Sequence, residues 1–108
     1  GESTLACAMR ELQEETGYTA REWAYGGEIH NAAAYSSESI EIWFARGLQQ
    51  GTARLDAEEF LEIVLHTEAE VDALCARGVI TDAKTLIGLL WLQKWRSGQW
   101  PMAWQPAP

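Results

Sequence analysis

The segment Gly1 to Tyr18, GESTLACAMRELQEETGY, constrains the fold more than any other stretch of the chain. Leu5, Ala8, Met9 and Leu12 follow the i, i+3, i+4, i+7 spacing of a helix with one apolar stripe. Ser3 or Thr4 can cap its start, and Gly17 stands where a left-handed residue ends a helix, with Tyr18 folding back onto Leu12. Glu11, Glu14 and Glu15 fall on the opposite face, so Glu11 neighbours both of the others. Like charges at that spacing destabilise a helix by roughly 0.2–0.5 kcal/mol per pair. The segment has no lysine, and Arg10 is its only basic side chain. A divalent cation would remove the repulsion, and carboxylate oxygens are hard ligands suited to magnesium or manganese. The bland alternative is a solvated acidic face without metal.

The order Glu2, seven residues, Arg10-Glu11-Leu12, one residue, Glu14-Glu15, one residue, Gly17 resembles the Nudix box of Nudix hydrolases. Tyr18 matches the final aliphatic position loosely. The opening glycine of that motif would lie six residues before Glu2, outside the sequence, which predicts a segment upstream of Gly1.

The chain has 108 residues, enough for one domain with a modest core. Its net charge of −8 and pI near 4.6 argue against nucleic-acid partners and anionic membranes. A phosphate-bearing substrate is compatible, because bound cations invert the local field. Cys7 and Cys75 have no metal-ligand spacing and read as two buried, reduced thiols of a cytoplasmic protein. No signal peptide is expected, and the longest apolar run, Leu86 to Leu92, is too short to span a bilayer.

After Gly17 the period changes. Arg21 to Ile29 reads as a strand broken at Gly26-Gly27, and His30 to Ser37 as a loop. Ser39 to Ala45 alternates as a strand, and Gln49 to Arg54 reads as a turn. Phe60 to His66 alternates again, with Leu61, Ile63 and Leu65 expected to face the core. Thr67 and Glu70 form a capping box for a helix through Arg77, with Val71, Leu74 and Cys75 inside and Gly78 as the stop. Thr81 or Asp82 starts a last helix to about Arg96, apolar nearly all round and expected to be well buried. Beyond Gly98 an extended tail is predicted.

The run DAEEFLEIV from Asp56 to Val64, followed by GVITDAKTLIGLLWL from Gly78 to Leu92, resembles the C-terminal part of ADP-ribose pyrophosphatases. The resemblance implies an α+β fold, a Nudix-type α/β/α sandwich with a mixed sheet, incomplete at its N-terminus. Residues 1–108 would then form the C-terminal two-thirds of one Nudix domain, exposing sheet edge and apolar surface. It implies metal-dependent hydrolysis of a nucleoside diphosphate sugar, ADP-ribose favoured, with a homodimer or the missing N-terminal segment as partner. The alternative is a truncated, non-catalytic binding or oligomerisation module. One departure bears on substrate choice: Ala33 stands where many of these enzymes carry a proline, sixteen residues past the last glycine of the box.

Within that resemblance Glu11 and Glu15 hold one or two Mg²⁺ or Mn²⁺ ions, with Glu14 as a further ligand. Arg10 steers the carboxylates and Glu2 pairs with Arg10, the alternative for Arg10 being a surface pair with Glu14. The general base is placed in the loop before the third strand, at Glu59 ahead of Glu58, the alternative being a solvated acid. His30 and His66 read as structural, and Asp82 and Lys84 as a helix cap and a first-turn residue. Trp91 and Trp95 read as core or dimer contacts. Trp100 and Trp104 are set down as partner-packing residues, or as a clamp for a base.

Overall fold

The computed structural model describes residues 3–30, 38–51 and 64–108. Its elements run α1 (Thr4–Thr16), β1 (Tyr18–His30), β2 (Ser39–Gln50), α2 (Glu68–Ala76), α3 (Ala83–Arg96) and β3 (Trp104–Pro106). The sheet has strand order β2-β1-β3, with β3 antiparallel to β1 and Ala24 opposite Trp104. The fold is α+β, as expected. The chain forms two compact units, Gly1–Tyr25, Trp43–Val64 and Trp104–Pro108 in one, Gly26–Ile42 and Leu65–Ala103 in the other.

The first unit begins with α1, capped by the Ser3 hydroxyl accepting from the Ala6 N–H at 3.1 Å. Gly17 ends it in the left-handed region, φ 77°, with its N–H on the Gln13 carbonyl. Burial concentrates on β1: Ala20, Trp23 and Ala24 are the buried hydrophobic residues among those described, Trp23 being 3% exposed. Successive strand residues point to opposite faces, so Trp23 and Ala24 anchor both sides of β1. Tyr25 and Trp43 meet edge-tilted at 5.0 Å between centroids, an arrangement worth about 0.5–1.5 kcal/mol.

In the second unit α2 packs on α3. Gln93 Nε2 donates to Asp72 Oδ1 at 3.0 Å, and Arg96 pairs with Glu68 at 3.2 Å. The Thr67–Glu70 capping box is formed in both directions. Gly78, φ 74°, closes α2 with the Gly78 N–H on Cys75 O and the Val79 N–H on Leu74 O, a Schellman end. Asp82 caps α3 as expected. Trp91 lies across Gly27 of β1, where a Cβ would fall 3.0 Å from its ring.

Four expectations are corrected. The turn at Gln49 begins later, because β2 continues to Gln50. Val64 to His66 form no strand, and Leu65 is 78% exposed. The remaining residues of that predicted strand, with Leu61 and Ile63, lie outside the described residues. A strand has two edges, and those of β1 are taken by β2 and by the C-terminal residues, so the extended tail becomes β3. α3 is not well buried: Leu86 and Leu90, one turn apart, are exposed, and Ile87, Leu89, Trp91, Leu92 and Trp95 are half-buried.

Candidate functional site

The outer face of α1 carries Glu11, Glu14 and Glu15, all exposed. Glu11 and Glu15 are one turn apart, and Glu14 stands at i+3 from Glu11. Arg10 Nη1 donates to Glu14 Oε2 at 3.0 Å, the surface pair that was the alternative for this arginine. Both side chains are about half exposed, so the pair adds only a few tenths of a kcal/mol. Cys7 Sγ donates to Glu11 Oε1 at 3.4 Å, and Arg10 Nη2 reaches the same sulfur at 3.7 Å.

Cys7 therefore sits half-buried between a carboxylate and a guanidinium, which corrects the expectation of a buried thiol. Its i, i+3 and i, i+4 spacing to Arg10 and Glu11 was the signal that sequence reading passed over. Cys75 is likewise half-buried rather than enclosed.

The last turn of α1 is electrostatically unfavourable. Glu14 and Glu15 lie at the negative end of the helix dipole, and no basic residue occurs in that turn. Hydrogen bonds hold it instead. Thr16 Oγ1 donates to the Leu12 carbonyl at 2.5 Å and accepts from the Tyr18 N–H at 3.0 Å.

A pocket of about 110 Å³ opens between α1 and the start of β1, lined by Met9, Arg10, Gln13, Thr19, Ala20 and Trp23. The Trp23 indole nitrogen is buried and lacks a hydrogen-bond partner among the described residues. Sequence reading did not find this pocket.

The other candidates separate cleanly. Glu2, Glu58, Glu59 and Ala33 lie outside the described residues. His30 Nε2 is 3.4 Å from Glu28, and His66 Nδ1 is 3.9 Å from Glu70, so each histidine stands beside a carboxylate. Asp82 accepts from Lys84 Nζ at 2.9 Å and from the Thr85 hydroxyl at 2.8 Å, in keeping with a capping role. Trp104 belongs to β3 and lies under Arg46 of its own chain. Trp100 is exposed.

Among the described residues no three His, Cys, Asp or Glu side chains are gathered into a closed cage for a metal. The donor set nevertheless fits a hard divalent cation in kind. It offers three exposed carboxylates within little more than one helical turn, open to solvent on the side away from the pocket's apolar wall. Also among the described residues, no helix is long and apolar enough to cross a membrane.

The fold and the sequence both have known counterparts. A solved structure described as an ADP compounds hydrolase superposes with a TM-score of 0.80 at 28% identity, covering 92% of this chain and 54% of its own. A methanol dehydrogenase activator of Bacillus methanolicus is 32% identical over 86% of this chain. The ADP-ribose pyrophosphatase of Bacillus subtilis is 30% identical over the same share, and that of Mycobacterium tuberculosis 30% identical over 83%. The chain spans about half the length of these curated relatives, 51%, 51% and 44%. The family model described as NUDIX domain matches residues 1–89, and on that match the chain belongs to the Nudix family, with ADP-ribose pyrophosphatases among its relatives.

Proposed function

We propose that this chain carries the metal-binding part of a pyrophosphohydrolase. It acts on a nucleoside diphosphate sugar, ADP-ribose by preference, giving AMP and a sugar phosphate. The observation that carries this reading is the exposed Glu11–Glu14–Glu15 face of α1, in box register, inside the matched NUDIX domain. Relatives named ADP-ribose pyrophosphatase support the substrate class.

In this reading Glu11 and Glu15 hold Mg²⁺ or Mn²⁺, with Glu14 as the further ligand. When bound, the ion supplies neutralisation of the diphosphate oxygens and a lowered pKa for the attacking water. Arg10 keeps Glu14 in place through its guanidinium, and Glu2 in turn orients Arg10. Glu59, or else Glu58, takes the proton from water as general base. The test is a product assay across ADP-ribose, other nucleotide sugars and dinucleotides with magnesium supplied. AMP and ribose phosphate from ADP-ribose is the expected result, and no turnover of any nucleoside diphosphate compound defeats the reading.

A second reading is a non-catalytic module. The observation that favours it is coverage, since the chain spans about half the length of its curated relatives. Mn²⁺ uptake without hydrolysis of any of these compounds is its signature.

Assembly is part of the same proposal. Leu65, Val79, Leu86, Leu90 and Trp100 are exposed apolar side chains, which supports a homodimer or a covering by further sequence. Sedimentation of the isolated chain as a compact 12.1 kDa monomer rules out the homodimer.

A further inference from the structure

α1 and the residue that follows β2 meet main chain to main chain. The Gly51 N–H donates to the Gly17 carbonyl at 2.9 Å. A Cβ built on Gly51 would lie 2.9 Å from that same oxygen, closer than real Cβ atoms come. The atom in the way is backbone, so no side chain can swing aside. Gly17 is itself the left-handed residue that ends α1, two positions beyond Glu15. Glycine thus stands on both sides of the crossing, and only glycine at position 51 lets the two chains approach this closely.

This contact falls where α1 most needs support. Two of its three outward carboxylates, Glu14 and Glu15, sit in the last turn against the negative end of the helix dipole; that turn has no basic residue of its own, and Arg10, one turn earlier, pairs with Glu14. Each such charge disfavours the helical form. Fraying of that turn would swing Glu15 out of line with Glu11. A ligand set works only while its donors are held to about 0.5 Å.

We infer that Gly51 is a positioning residue for the carboxylate helix: through Gly17 it keeps the last turn of α1 wound, so that Glu14 and Glu15 stay in register with Glu11. The inference rests on the reading of these glutamates as cation ligands and adds a residue that acts on them from another element.

The experiment compares Mn²⁺ binding, by titration calorimetry, in the unaltered chain and in G51A, E15Q and the double variant. G51A should weaken Mn²⁺ binding about 5-fold or more. In the E15Q background the same substitution should cost much less, because the carboxylate it positions is already neutral. Equal, additive losses in both backgrounds mean a merely structural glycine and overturn the inference. A second measurement needs no variant. If an ordered last turn favours the ion, the ion must order the last turn, so hydrogen exchange at the Gly51 amide should slow when Mn²⁺ is added. Unchanged exchange at saturating Mn²⁺ overturns the inference even where G51A fails to fold. Failure of the unaltered chain to take up Mn²⁺ defeats the metal reading itself and this inference with it. Normal uptake that is indifferent to Gly51 defeats this inference alone.

Discussion

Arg46 lies over Trp104, its guanidinium carbon 4.1 Å from the ring centroid. The same guanidinium donates to Glu22 through Nε at 3.0 Å and Nη2 at 3.4 Å. One arginine of β2 therefore binds a carboxylate on β1 and an aromatic ring on β3, tying all three strands on one face. The backbone adds an Ala107 N–H bond to the Arg21 carbonyl at 2.8 Å just past the end of β3.

Removing that guanidinium should loosen the three-residue strand first. The cation–π contact contributes about 0.5–1 kcal/mol and the half-exposed ion pair a few tenths. R46A should lower global stability by about 1 kcal/mol and raise hydrogen exchange selectively at the β3 amides. Exchange unchanged at Gln105 in R46A would show that the ladder alone holds the C-terminus.

This strand also marks what could be read from the sequence. α1, α2 and α3 were legible to within a residue because their signals are local. Ser3, the Thr67–Glu70 box and Asp82 declare the starts, and Gly17, Gly78 and Gly98 the left-handed ends. β3 was not legible, because WPMAWQPAP lacks alternation and its pairing partner lies some eighty residues earlier. Alternation pointed instead to Phe60–His66 as the third strand; Val64 to His66 form no strand, and the rest of that run lies outside the described residues. At the candidate site, the order of the glutamates on α1 was readable from helical spacing. The contact between Gly51 and Gly17 was not, since a close backbone crossing leaves only a glycine behind, and a glycine next to a predicted turn looks like turn chemistry.

The core should depend heavily on one residue. Trp23 is almost wholly buried on β1, and α1 side chains share its pocket. W23A should destabilise the chain by about 3–5 kcal/mol, the range for a large aromatic truncated in a packed interior. Thermal unfolding checks it. A loss below about 1 kcal/mol would mean that the neighbouring side chains collapse into the space.

Acid should act on the helix starts of the second unit. The Thr67 backbone N–H, then its hydroxyl, holds the Glu70 carboxyl below its ordinary pKa. The Lys84 ammonium, then Thr85, does the same for Asp82. A carboxylate whose folded pKa is depressed stabilises the fold fully above its unfolded pKa, and that contribution is lost as pH falls through the folded value. Stability should therefore hold above about pH 5 and fall off below about pH 4. E70Q and D82N keep a hydrogen-bonding amide at each cap but remove the titration. The acid limb of the melting temperature should flatten in each, and an unaltered limb in the double variant would assign acid sensitivity to other carboxylates.

The carboxylate face of α1 makes the most demanding prediction, because it joins stability to catalysis. A cation that binds only the folded chain stabilises it by mass action, about 2.7 kcal/mol when its concentration is a hundred times Kd. Millimolar Mn²⁺ should raise the melting temperature of the unaltered chain, and E15Q should remove most of that rise. Coincident melts with and without manganese would mean that Glu11, Glu14 and Glu15 hold no ion. Where hydrolysis of ADP-ribose is measured, E15Q should lose mainly kcat, since the charge it removes stabilises the transition state more than the bound substrate. E59Q should separate the two readouts, keeping the manganese-induced rise while turnover falls about 10²–10⁴-fold, as expected for a general base. The same pattern in E58Q with E59Q silent moves the base by one residue. Full turnover in E15Q removes the metal-dependent mechanism, because no arrangement of the remaining carboxylates on α1 restores the lost charge at that turn.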